Sequence, residues 1–119
     1  MRAERCALAL AALLTTTGVL HFAAPRPFAS IVPRALGDPR PWVRGSGAAE
    51  LACAAGLLAP GTRRRAGWAT AALLLAVWPA NWQMALASGD RSAAYRTAAW
   101  GRLPLQLPLV AWALRVARG

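Results

Sequence analysis

The sequence predicts an all-α, polytopic membrane protein: one membrane domain over residues 1–119 in which four transmembrane helices form an up-down bundle. Three observations carry this. Four apolar runs of span length are separated by proline-rich, basic or polar breaks. Hydrophobic residues fill 57% of 119 positions and charged residues only 15%, too apolar for an ordinary soluble domain of this size. The fourteen basic residues are all arginine, face four acids and lie mostly between the runs rather than along one face. They read as headgroup and helix-end charges, so no nucleic acid is expected as a partner despite a formal charge of +10. Arginine without lysine, together with high alanine, points to a bacterial protein and hence to the cytoplasmic membrane.

The first span covers about residues 5–24. It begins like a signal peptide, but Phe22 stands where a cleavage site wants a small residue, so an uncleaved helix is expected. Residues 25–41 form a loop on the outer side, because five prolines and Gly37 forbid a continuous helix. Its Phe28, Ile31 and Val32 are apolar enough to pack onto the mouth of the bundle or dip into the interface; both a connector and a lid are open readings. The second span, residues 42–59, is the least apolar because it holds Arg44 and Glu50. On a helical wheel Ser46, Gly47, Cys53 and Ala54 lie within about 60° of Glu50, a face of small side chains that lets helices approach closely.

The basic loop at 60–65, PGTRRR, faces the cytoplasm by the positive-inside rule and brings both termini there with it. The third span, residues 66–87, has no charge; Pro79 cannot donate to the carbonyl of Leu75, so a kink or a freed acceptor is expected just before Asn81. The fourth, residues 98–117, places Pro104 in its first turn, with Pro108 able to kink it. Trp42, Trp68, Trp82 and Trp100 fall near helix ends, as an aromatic belt requires, while Trp78 reads as core. Cys6 and Cys53 form no metal or CxxC spacing and read as inert buried thiols, and one histidine without clustered carboxylates makes a poor metal site.

The polar residues of the four runs share one half of the bundle. His21 ends the first run at the outer side, Glu50 and Gln106 lie about 12 Å in from the outer starts of their helices, Arg102 lies about 6 Å in, and Asn81 sits in the outer part of the third run. The inner half is almost wholly apolar. One polar intramembrane site or cavity lined by His21, Glu50, Asn81, Arg102 and Gln106 is therefore expected, opening outward. A charged group at the centre of a span costs about 2.5–3.5 kcal/mol on insertion scales, so Glu50 needs a partner or a proton. Arg102 is the expected counter-ion; without it Glu50 would be a neutral donor or proton carrier. Blander readings stand beside these: a structural Glu50–Arg102 pair, amide bridges between helices from Asn81 and Gln106, and an interfacial anchor at His21.

Five ordered blocks resemble the DoxX-like family of small bacterial membrane proteins, whose relatives include DoxD and MauE. They are GVLHF at Gly18–Phe22, PFASIVP at Pro27–Pro33, the stretch from Ser46 to Ala66, WPANWQMAL at Trp78–Leu86, and RLPLQLPLVAWAL at Arg102–Leu114. The resemblance implies a four-helix membrane bundle and maps the family's pattern onto His21, Glu50, Pro79 with Asn81, and Arg102 to Gln106. The chain lacks a dithiol, which argues against direct thiol–disulfide chemistry.

Three functions remain in play. The first is a membrane subunit or accessory protein of a redox system, with a partner protein and a quinone headgroup or small polar substrate at the outer site. The second is small-solute or proton transport, for which a homo-oligomer is needed because four helices leave little room for a path. The third is a non-catalytic anchor or assembly factor.

Overall fold

The computed structural model describes residues 2–30, 32 and 34–119. Ile31, expected to pack with Phe28 and Val32, lies outside them. The described residues are helical with no strand: α1 (Arg2–Ala23), the short α2 (Arg26–Ala29), a 3-10 turn (Arg34–Leu36), α3 (Pro39–Leu58), α4 (Arg63–Leu86) and α5 (Ala93–Arg118). The four long helices run antiparallel in sequence order within an envelope of 46 × 26 × 22 Å. Around the bundle α3 lies between α1 and α4, and α5 closes the ring against α4 and more lightly against α1. Helices α3 and α5 are thus diagonal.

All four long helices begin earlier than expected, at Arg2, Pro39, Arg63 and Ala93 rather than at about residue 5, Trp42, Ala66 and Ala98. Charge ends a hydrophobic run, whereas a cap ends a helix. Asp38 accepts a hydrogen bond from the backbone N–H of Arg40 at 3.0 Å with Pro39 in the first turn, and the Ser92 hydroxyl accepts from the N–H of Tyr95 at 3.2 Å. The early start of α5 also moves Pro104 from the first turn into the helix interior.

The arginines of the basic loop have partners the sequence did not announce. Arg63 Nε donates to the Leu57 carbonyl at 2.9 Å and Arg64 Nε to the Ala117 carbonyl at 3.2 Å. They satisfy the orphan carbonyls at the C-terminal ends of α3 and α5, where a cation also favours the helix dipole.

The core at the end holding both chain termini is built from small and branched residues: Ala7, Leu10, Ala11, Leu14, Cys53, Ala54, Leu57, Ala71, Ala113 and Val116. Backbones come close there and higher up. A Cβ on Gly67 would stand 2.6 Å from the Ala117 nitrogen, and one on Gly47 2.7 Å from His21 Cβ. Trp112 Nε1 donates to the Cys6 carbonyl at 2.9 Å and ties α5 to α1. Hydroxyls bend back onto their own helices: Thr15 to the Ala11 carbonyl at 2.7 Å, Thr16 to Ala12 at 2.9 Å and Thr70 to Ala66 at 2.7 Å.

Among the described residues one helix, over Glu4–Ala23, is long and apolar enough by itself to cross a membrane. The other long helices are diluted by Arg44 and Glu50 in α3, by Arg63–Arg65, Asn81 and Gln83 in α4, and by Arg102, Gln106 and two prolines in α5.

Candidate functional site

At the end opposite the termini, the four long helices and the connector after α1 enclose a cavity of about 190 Å³. Its wall takes Thr17 and His21 from α1, Ser46 and Glu50 from α3, Asn81 from α4 and Arg102 from α5. Four of the five residues expected to share a site are therefore brought together.

Gln106 is the exception. It is buried, but its Nε2 donates to the Leu74 carbonyl of α4 at 2.5 Å and not into the cavity. This is the helix-bridging amide. Its acceptor is the carbonyl next to that of Leu75, the one Pro79 leaves without a donor.

The expected pairing of Glu50 with Arg102 is not formed. Arg102 is exposed, and its guanidinium donates to Met84 Sδ at 3.4 Å. Instead the Glu50 Oε2 lies 3.3 Å from His21 Nδ1, with both side chains about nine-tenths buried. Helix order explains the change: α3 packs directly on α1 through Gly18 and Gly47, while α5 stands across the bundle. Stagger explains why reckoning by depth separated His21 from Glu50. Helix α3 rises past the end of α1 to its cap at Asp38, so Glu50 sits closer to the outer end of α1 than a common starting level implies.

The hydrogen on His21 Nδ1 follows from its neighbours. Nδ1 is 2.6 Å from the Thr17 carbonyl oxygen, one turn back on α1. A carbonyl only accepts, so Nδ1 carries the hydrogen, and in the neutral ring Nε2 is the acceptor. Because that hydrogen is committed to Thr17, Glu50 Oε2 is a buried polar atom without a hydrogen-bond partner.

The proline-rich connector roofs this pair. The Phe28 ring stacks on that of His21 with centroids 3.8 Å apart and planes at 18°. Val32 and Leu36 line the cavity from the same segment, and Trp42 Nε1 donates to the Leu36 carbonyl at 3.1 Å, fastening the connector to α3. Of the two readings of this loop, the structure gives a packed cover. Phe28 and Arg102 also border a second, outer hollow of about 390 Å³ with Arg91 and Tyr95. They stand between the inner cavity and its approach.

Thr17, Ser46 and Phe28 were not singled out as site residues. Two left a signal, since Thr17 precedes His21 and Ser46 precedes Glu50 by four, one helical turn. Phe28 was expected at most to pack onto the mouth of the bundle; its stack on His21 left no signal, because a loop has no period. Trp78 packs beside Ala85, Ala99 and Leu103 as expected of a core residue, although its Nε1 is buried without a partner. Cys6 and Cys53 are free thiols, and the described residues hold no metal-ligand cluster.

No curated protein and no solved structure matches the chain. A family model does, over residues 10–117, which takes in all the cavity residues named above. The chain belongs to the family described as Domain of unknown function (DUF8561).

Proposed function

We propose that this is a four-span protein of the bacterial cytoplasmic membrane, with both termini in the cytoplasm, that holds a quinone headgroup or similarly small polar substrate as subunit or accessory of a redox system. The observation that carries the reading is the roofed cavity of about 190 Å³ with a buried His21–Glu50 pair, set in a bundle that turns leucines and tryptophans outward.

The membrane part rests on the large apolar side chains turned outward. Alanines 7, 11, 54, 71 and 113 are buried, whereas Leu8, Leu13, Leu20, Leu75, Leu105 and Leu107 are 38–61% exposed. In water that surface is an aggregation hazard; in lipid it is the contact surface, and small residues belong between the helices. The self-bonded threonine hydroxyls fit the same solvent. Trp42, Trp68, Trp82 and Trp100 are all exposed near helix ends, as an aromatic belt would place them.

The ligand part rests on size and lining. The cavity is smaller than the roughly 300–1,000 Å³ of drug-sized sites, and so suits a single ring or headgroup. Phe28, Val32, Leu36, Trp42, Val43 and Val77 supply apolar walls; His21, Glu50 and Asn81 supply polar groups. The likeness of these motifs to DoxX-like proteins agrees with this reading. The test is binding of a short-chain quinone to the protein in nanodiscs, with Phe28→Trp as a variant that fills the roof. Saturable binding that the variant weakens at least several-fold supports the site, and absence of binding removes it.

A further inference from the structure

We infer that the outer hollow of about 390 Å³ is a phosphate site, in which Arg91 and Arg102 hold the headgroup of an anionic phospholipid. It lies outside the inner cavity, on the far side of Phe28, and only the source of its phosphate depends on the bundle lying in a membrane.

Two cations meet in this hollow and no carboxylate lines it. The chain has four acids, and none neutralises them among the described residues. Asp38 is paired with Arg40, Glu50 lies against His21, and Glu4 is on the first turn of α1 at the opposite end. Asp90 precedes Arg91 in sequence but neither lines the hollow nor forms an ion pair. Arginine stays charged at any ordinary pH, so the sign of the hollow does not turn on a protonation state.

The two guanidinium groups are placed but hardly used. A turn closed by the Arg91 N–H on the Ser88 carbonyl, at 3.0 Å, brings Arg91 to the start of α5, where its guanidinium lies 4.1 Å over the Tyr95 ring. A stacked guanidinium keeps its edge of N–H donors free. Arg102 meets only the thioether of Met84, a weak acceptor, at 3.4 Å. Tyr95 and Met84 both pack on the cluster of Ala85, Ala99 and Leu103, so one piece of core steadies both arginines. Planar forks held in this way suit the oxygens of a phosphate.

Depth names the source. Trp82 and Trp100 are exposed and stand two residues before Met84 and Arg102, their rings edge to face at 6.2 Å. Exposed tryptophans mark the headgroup level of a bilayer. Leu105, three residues further in along α5, is exposed and offers a surface to an acyl chain.

The test is thermal unfolding of the full chain in a non-ionic detergent with three probes: short-chain phosphatidylglycerol, phosphatidylcholine of equal chain length, and inorganic phosphate. A ligand of the folded state raises the midpoint by an amount set by its concentration and affinity. Phosphatidylglycerol should bind at least several-fold more tightly than phosphatidylcholine, whose ammonium the arginines repel. Arg91→Gln with Arg102→Gln should weaken that binding about tenfold or more, the scale of a lost charge-assisted hydrogen bond. Arg26→Gln with Arg34→Gln removes equal charge from exposed positions of the connector outside the hollow, and should change it less than about twofold. Binding of inorganic phosphate alone, lost with Arg91 and Arg102, would keep the site and assign it a soluble phosphate. Equal weakening by the two pairs of substitutions would mean diffuse surface charge and overturn the site. So would an unaltered protein that prefers neither phosphatidylglycerol over phosphatidylcholine nor binds phosphate, whether or not the variants fold.

Discussion

Phe28 lies flat on His21, with ring centroids 3.8 Å apart. It belongs to a four-residue helix that has no buried residue of its own and is far too short to be stable in isolation. The stack is thus a main anchor of the roof. Phe28→Ala should lower unfolding stability in detergent by about 1–2 kcal/mol, the aromatic pair plus part of the area it covers. It should also speed modification of His21 by diethyl pyrocarbonate several-fold. His21 is the chain's one histidine, so the readout is unambiguous. An unchanged rate would show that the ring does not keep the cavity closed.

The identity of Glu50's neighbour gives a second prediction. With His21 at 3.3 Å and Arg102 turned to Met84, Arg102→Gln should change stability by less than about 0.5 kcal/mol, as for exposed positions generally. His21→Leu removes the neighbour and leaves Glu50 among apolar groups, which should cost about 1–3 kcal/mol. A double-mutant cycle should find coupling between His21 and Glu50 and almost none between Arg102 and Glu50. The opposite pattern would restore the arginine as counter-ion.

What was legible in the sequence was what needs no neighbour to be seen. Glu50, His21 and Asn81 stand out because polar groups in apolar runs must be accommodated, and the small residues around Glu50 announced a close helix contact. Three of them, Gly47, Cys53 and Ala54, are buried. Which helix makes that contact was not legible. Pairing Glu50 with Arg102 assumed a common starting level and no preference among neighbours, whereas the glycine seam between α1 and α3 brings His21 to it instead. The amide of Gln106 failed as a cavity residue for a related reason: its depth was right, but its direction follows from the rotation of α5 against α4. The stack of Phe28 depends on a loop path that no periodicity encodes.

Acid should loosen the start of α3. The Arg40 guanidinium, followed by its backbone N–H, holds the Asp38 carboxyl below its ordinary range. Asp38 therefore favours the folded state above the unfolded carboxyl value of about 3.9, and loses that contribution as the pH falls through its lower folded value. Asp38→Ala should accordingly be less stable than the parent at pH 7 and converge with it below about pH 3. Thermal unfolding of both proteins across that range checks this. Because the group is fully exposed, 0.5 M salt should narrow the gap at pH 7 as well. A gap that persisted unchanged to pH 2.5 would mean that the carboxylate charge plays no part.

Gly45 and Gly47, two residues apart in the second run, should answer oppositely to the same change. At Gly47 an added Cβ would meet His21 Cβ at 2.7 Å, the Phe22 ring at 2.9 Å and the Gly18 carbonyl at 3.2 Å. Part of that wall is backbone and part is a ring held in the seam, so α1 and α3 must separate. Gly47→Ala should cost about 1–3 kcal/mol, as overpacking does, and should weaken the coupling between His21 and Glu50 in the double-mutant cycle. At Gly45 nothing lies within 4 Å of the added carbon, and the residue is inside α3. There the better helix propensity of alanine acts alone, and Gly45→Ala should stabilise by up to about 1 kcal/mol. Unfolding of the two variants in one detergent separates contact from propensity. Equal effects would mean that α1 does not approach α3 at Gly47, and with that contact gone nothing would hold His21 over the carboxylate.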